Sequence, residues 1–288
     1  MASRRHAEDG TDDGLCMTPD ASAAHITYRR LRIRGLGIHA EICGEGEPLL
    51  LHSGMWAEAG LWGPLLPYLA GYQVIAFDPP GVGRSQMPTF PPGMRELASF
   101  GAAVLDELGI ESAHVLGASF GGAVAQQMAI GHPDRVRRLV LVSTSFGGFA
   151  VPGDPAALWQ FFQPANYYDP AQLAKVAGAT FGGRLRAEPE LVHTLQIRPP
   201  QSLRAPLYRM APLFGWTSLP WLRAIRQPTL IVSGDDDPVT PPINHRIMAA
   251  LIPDAQFRTV KGGGHLMLID SPAHVAPVIT TFLNGSQP

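Results

Sequence analysis

Cysteine is almost missing from this chain: Cys16 and Cys43 are the only two. Cys16 lies in a polar tail, so no disulfide framework is available to hold a fold together. Stability must then come from burying apolar side chains. Lysine is nearly as scarce, with only Lys175 and Lys261. Arginine supplies the remaining positive charge, a skew we attribute to codon usage rather than mechanism. Charged residues make up 16% of the chain and the formal net charge is −2. That removes any general attraction for nucleic acid or an anionic membrane surface. No apolar run approaches the roughly 20 residues of a membrane helix. The first 24 residues lack the apolar core of an export signal. The expectation is a cytoplasmic protein with a disordered polar tail over residues 1–24, no transmembrane segment and no nucleic-acid partner. Both Met1 and Met17 stand as candidate starts.

Apolar residues are plentiful, at 45% of 288. That is ample for a sizeable core, in one α/β domain carrying an insertion. Ile26 to Ile33 and Leu36 to Ile42 read as antiparallel strands joined through Gly35 and Gly37. Leu49 to His52, Gln73 to Phe77, Val115 to Gly117, Val136 to Val142, Thr229 to Ser233 and Ala255 to Val260 read as short buried strands. Helical stretches such as Met94 to Leu108 and Pro272 to Leu283 alternate with them. This rhythm predicts a mostly parallel sheet with helices on both faces. Between about Phe146 and Leu222 the strand signal stops, and Pro, Gly and aromatics accumulate. A helical cap over residues 148–222, inserted after the sixth strand, is expected to cover a site in a core made of 25–147 and 223–288. Most of its rings should pack the cap on the sheet, and some should line a pocket.

The segment Ala113 to Gly122 carries the chemistry. A strand runs into Gly117-Ala118-Ser119-Phe120-Gly121 and then into the helix Gly122 to Ala129. This Gly-x-Ser-x-Gly turn lifts a serine hydroxyl into a cleft, with a helix N-terminus behind it. Ser119 is therefore the candidate nucleophile. A hydroxyl needs a neighbouring base, and His265, after Gly262-Gly263-Gly264, has the chemistry and the position. An acid to orient that histidine should come from Asp235, Asp236 or Asp237, after the strand ending at Gly234. Asp237, directly before Pro238, has the expected spacing, which leaves Asp235 and Asp236 as turn and solvent-facing residues. Backbone donors for an oxyanion are expected from Phe120, directly after the serine, and from the loop His52-Ser53-Gly54-Met55-Trp56, with Gly54 first and Met55 second. Trp56, Trp159, Phe162 and Leu266 are candidate substrate contacts. Asp78 to Ser85 lacks the Gly-Lys-Ser/Thr ending of a phosphate loop and reads as a rigid structural turn. His114 and His132 have no partners at metal-ligand spacing, so neither metal nor cofactor is expected. Serine rather than aspartate at the turn argues against a dehalogenase or epoxide hydrolase.

Over residues 26 to 284 these features resemble the α/β-hydrolase superfamily. Asp78 to Ser85, the turn at Ser119, His132-Pro133-Asp134-Arg135-Val136, Gly234 to Pro238 and the His265 loop carry the likeness. Within it, the chain is similar to the intracellular medium-chain-length poly(3-hydroxyalkanoate) depolymerases. That likeness rests on Gly121 to Gln127, Gly215-Trp216-Thr217-Ser218, Gln227 to Pro238 and Gly263-Gly264-His265-Leu266. The resemblance implies hydrolysis of esters between 3-hydroxyacyl units at or near a storage-granule surface. Ser53-Gly54-Met55 and the long tail depart from the pattern. The alternatives are a small-molecule esterase, lactonase, thioesterase or carbon–carbon bond hydrolase of the same fold.

Overall fold

The computed structural model describes residues 13–16, 24–194 and 204–285. Nine strands form one sheet: β1 (Asp13–Cys16), β2 (Ala24–Ile33), β3 (Leu36–Cys43), β4 (Glu47–His52), β5 (Tyr72–Phe77), β6 (Ala113–Ala118), β7 (Val136–Val142), β8 (Thr229–Gly234) and β9 (Ala255–Val260). Their spatial order is β1-β2-β3-β5-β4-β6-β7-β8-β9. The first three pairings are antiparallel; every pairing from β5 to β9 is parallel. The helices are α1 (Met94–Glu107), α2 (Phe120–Gly131), α3 (Pro155–Phe161), α4 (Pro170–Phe181), α5 (Arg184–Ala187), α6 (Ala205–Met210), α7 (Pro242–Leu251), α8 (Met267–Asp270) and α9 (Pro272–Leu283), with 3-10 turns between them.

The central parallel strands are largely apolar because both faces are covered, whereas β9, at the sheet edge, carries Gln256, Arg258 and Thr259. Alternate residues feed two cores. Leu49, Leu51, Val74, Leu116, Val140 and Val232 pack with Val275, Ile279 and Phe282 of α9. Leu50, Ile75, Val115, Leu139, Leu141 and Ile231 pack with Leu97, Val104, Val124 and Met248 of α1, α2 and α7. The arrangement is the expected α/β-hydrolase sheet with helices on both faces.

One expectation changes. Asp13–Cys16 pairs antiparallel with β2, so this part of the tail extends the sheet edge; the rest of 1–23 lies outside the described residues. With this edge strand counted, Val136–Val142 is β7, and the long insertion follows it as expected. Between β7 and β8 the described chain contains only short helices and turns, α3 to α6 among them, with no strand. Its tether is an isolated bridge between Gly147 and Thr217. There the side chains of Trp216 and Ser218 reach back to α2: the Trp216 indole N–H donates to Gln127 Oε1 at 3.0 Å and Ser218 Oγ to Gln126 Oε1 at 2.6 Å.

Parallel strands put their C-terminal ends on one edge of the sheet, and the loops there must pack without side chains between them. A Cβ on Gly121 would strike the carbonyls of His52 and Ser53 at the end of β4, and one on Gly122 would lie 2.5 Å from Thr144 after β7. Gly121→Ala should therefore destabilise the protein by about 1–3 kcal/mol through overpacking. Urea denaturation followed by circular dichroism reads this directly, and an unchanged midpoint would refute the close packing.

Candidate active site

Ser119 sits between β6 and α2 with φ +53° and ψ −121°. A non-glycine residue adopts such a backbone only when its surroundings enforce it. Here they do. The Ser119 amide donates to Val142 O at 2.9 Å, and its carbonyl accepts from Gly122 N at 2.9 Å and Thr144 Oγ1 at 2.7 Å. A Cβ on Gly117 would run into the Gly121 backbone.

Three residues far apart in the chain meet here. His265 Nε2 lies 2.8 Å from Ser119 Oγ. His265 Nδ1 lies 3.0 and 3.1 Å from the two carboxylate oxygens of Asp237. Both His265 and Asp237 are buried. Asp237 also accepts from the amides of Val239 and Thr240 at 2.9 Å each and from the Thr240 hydroxyl at 2.6 Å. Burial alone would raise the Asp237 carboxyl, but the His265 imidazole and the Thr240 donors outweigh it and hold the pKa below its ordinary value. Thr240, three residues beyond the acid, escaped the sequence reading. An aspartate bonding amides two and three positions ahead is a common turn pattern and could have revealed it.

The two neighbouring aspartates are not idle turn residues. Asp235 accepts from Gly262 N at 2.6 Å, which ties the β8 loop to the His265 loop. Asp236 accepts from Gly183 N at 2.7 Å and takes both arms of the Arg186 guanidinium at 2.9 and 3.0 Å. Arg186 holds the Asp236 carboxyl below its ordinary pKa. Both sit in the turn after β8, Asp235 exposed and Asp236 partly so, in keeping with turn and solvent-facing residues, and each also joins two loops. The insertion also reaches the histidine, since Phe181 O accepts from His265 N at 2.7 Å.

The oxyanion candidates lie beside the serine. The position a Cβ would take on Gly54 is 3.7 Å from Ser119 Cβ. Among the described residues, no acceptor is found for the amides of Gly54, Met55 or Phe120. The loop is braced by the Trp62 indole N–H to Ser53 Oγ at 2.8 Å and by Ala59 N to Asp78 Oδ1 at 2.7 Å. Asp78 also accepts from Arg84 N at 2.8 Å, in keeping with a rigid structural turn over Asp78 to Ser85. His114 pairs with Glu47 at 2.7 Å and His132 with Ser99 at 3.1 Å.

Two cavities open on Ser119. One, about 70 Å³, is walled by Trp56, Trp62, Tyr167, Phe181, His265 and Leu266. The other, about 220 Å³, lies against Phe120, Leu158, Phe162, Leu213, Trp216 and Val239. Met55 and Phe161 border both. Trp56 and Leu266 border the first cavity and Phe162 the second. Trp159 borders neither: it is 67% exposed. On α3, Leu158, Phe161 and Phe162 occupy one face, and a residue between them points away. Phe161 and Tyr167 were not singled out in the sequence; nothing local distinguishes them from the other insertion aromatics.

The profile of the alpha/beta hydrolase fold family matches residues 47–196 and 214–272. The chain belongs to the α/β-hydrolase family. It is 41% identical over 239 residues to a poly(3-hydroxyalkanoate) depolymerase of Ectopseudomonas oleovorans, covering 82% of this chain and 84% of that protein. It is 29% identical over 276 residues to a 2-hydroxymuconate semialdehyde hydrolase of Pseudomonas sp. strain CF600, covering 88% and 93%. Among solved structures, a hydrolase from Pseudomonas aeruginosa PA01 superposes with a TM-score of 0.74 at 26% identity, covering 89% of this chain and 98% of that one. No helix of the described residues is long and apolar enough to cross a membrane.

Two histidines support this α/β-hydrolase site from beneath. His52 ends β4 against Phe77, and His245 on α7 accepts from Thr144 N at 3.0 Å while its Nδ1 lies 3.1 Å from Ser233 Oγ. Burial pulls each down from 6.5 to about 4. The unfolded chain therefore binds more protons between about pH 4 and 6.5. Stability falls as pH is lowered through that window and is fully present above it. Urea midpoints measured from pH 7 down to pH 4.5 should decline, and His52→Leu should flatten the decline. An equally steep slope in that variant would show that His52 is not a source of it.

Proposed function

We propose that this protein is a serine hydrolase that cleaves carboxylic esters through an acyl-enzyme, and that its substrate is poly(3-hydroxyalkanoate) or 3-hydroxyacyl oligomers. The observation that carries this reading is the continuous chain from Ser119 Oγ to His265 to Asp237, with distances of 2.8 and 3.0 Å, at the meeting of two apolar cavities.

In this reading Ser119 Oγ attacks the ester carbonyl while His265 Nε2 takes its proton. Asp237, accepting from His265 Nδ1–H, fixes the tautomer and stabilises the imidazolium without itself taking the proton. The tetrahedral oxyanion is met by the amide of Phe120 and by that of Gly54 or Met55, each worth about 3 kcal/mol in the transition state. His265 then returns the proton to the leaving alkoxide, and the alcohol departs. Water, deprotonated by the same histidine, attacks the acyl-enzyme and frees the acid and Ser119.

The substrate assignment draws on three supports. The 41% identical relative is named a poly(3-hydroxyalkanoate) depolymerase. Two mostly apolar cavities that share Ser119 suit an ester carrying an apolar group. Phe90, Leu207, Phe214 and Trp221 expose between 55% and 78% of their surface; the Tyr208 hydroxyl donates to Thr89 O at 2.8 Å, which joins the segments of Phe90 and Leu207, and Phe214 and Trp221 border one groove. In this reading that apolar surface rests on a polyester granule inside the cell. The cap over 148–222 closes the site above the core.

Wild-type protein should release soluble hydroxy acids from a suspension of medium-chain poly(3-hydroxyalkanoate), and Ser119→Ala should lower turnover by about a millionfold. Cleavage of a short p-nitrophenyl ester without polymer release would reassign the substrate to a small ester. Ester hydrolysis that survives in Ser119→Ala would sink the mechanism.

A further inference from the structure

Arg209 is a cation with an unusual place in this molecule. It lies on α6, in the insertion, yet its guanidinium reaches under the loop that follows β4. Nη1 donates to Gly54 O at 3.3 Å and to Ala57 O at 3.5 Å, and Nη2 donates to Ala57 O at 3.4 Å. Among the described residues it forms no ion pair of the close kind that Arg135, Arg184 and Arg186 make. The carboxylates of Asp78 and Glu58 act on it from a distance, and burial pulls its pKa down from 12.5 to about 10, so it is charged at neutral pH. A guanidinium held against main-chain carbonyls rather than a carboxylate is an expensive arrangement unless those carbonyls need holding.

We propose that Arg209 is a positioning residue for the oxyanion site: its grip on the carbonyls of Gly54 and Ala57 turns the Gly54–Met55 peptide so that the Met55 N–H, rather than that of Gly54, faces Ser119. A trans peptide carries its C=O and N–H on opposite sides. With Gly54 O drawn toward Arg209, the Met55 N–H points away from α6. Met55 borders both cavities that open on Ser119, whereas Arg209 lines neither. The cation also polarises the peptide it holds, which makes the amide a stronger donor to developing negative charge. The loop is braced elsewhere by Trp62 and Asp78, but at Gly54 the hydrogen bonds to the carbonyl are Ala57 N at 3.2 Å, from within the same loop, and Arg209. Seating of the insertion and competence of the oxyanion site are thereby linked through one side chain.

This inference rests on the ester-hydrolase reading, and wild-type hydrolysis of a soluble p-nitrophenyl ester is measured first; without it that reading falls, whatever Arg209 does. Given wild-type activity, Arg209→Gln and Arg209→Lys are compared. Lysine keeps the charge but loses the fork. The expected result is a drop in kcat of about tenfold to hundredfold in Arg209→Gln, a smaller drop in Arg209→Lys, and KM within threefold of wild type in both. Affinity for an arylboronic acid, whose serine adduct places an oxygen in the oxyanion site, should weaken in parallel with kcat. Guanidinium ion at millimolar concentration should restore part of the lost rate in Arg209→Gln. A lowered melting temperature with unchanged kcat per folded molecule would overturn the proposal and leave Arg209 a structural strut. A change confined to KM would also overturn it and assign Arg209 to the cavity wall.

Discussion

The backbone of Ser119, held at φ +53°, is the constraint on which the rest of the site depends. A side chain in that conformation cannot relax into a strand or a helix, so it stands clear of both and meets His265. The conformation persists because the ends of β4, β6 and β7 crowd around it. Gly117 and Gly121 allow backbone to touch backbone there, and Gly122 leaves room for the Thr144 side chain. Each of those strands ends at the same edge because the sheet is parallel from β5 to β9, so strain and reactive groups are concentrated together.

The loops around the serine are bound to one another through aspartates. Asp235 holds the His265 loop, Asp236 holds the insertion through Gly183 and Arg186, and Asp237 holds the imidazole. Three adjacent carboxylates that point at three different partners convert one short turn into the hub of the site. The insertion contributes beyond covering it: Phe181 positions the His265 backbone, Arg209 reaches the oxyanion loop, and Phe161 borders both cavities. A displacement of the insertion would therefore be felt by the histidine and by the loop after β4 together.

The cavities show how apolar patterning serves two ends. The aromatics that line them are the same residues that pack the insertion onto the sheet, and Phe161 stacks edge-on against Phe181 and His265. Burial of those rings supplies stability, and the space left between them is the apolar room beside Ser119. Tyr167 is buried with its hydroxyl on Phe161 O, and burial raises its pKa, so it acts there as a neutral wall.

Much of this was legible in the chain alone. The alternation of short apolar runs with helical stretches gave the parallel sheet, because strands covered on both faces must be apolar at every position. The Gly-x-Ser-x-Gly turn, the Gly-rich approach to His265 and the Asp237-Pro238 pair stood out because local backbone geometry demands those residue types at those spacings. The structure brings those three together. What only the tertiary structure decided were contacts made across long stretches of sequence: that Trp159 faces solvent while Phe161 and Phe162 face the cavities, that Asp236 belongs to Arg186, and that Asp13–Cys16 adds an edge strand. The reach of Arg209 to a loop more than 150 residues earlier is of the same kind. Spacing along the chain encodes turns and periodicity; which of several similar side chains fills a gap is decided by how the elements pack, and no local pattern records it.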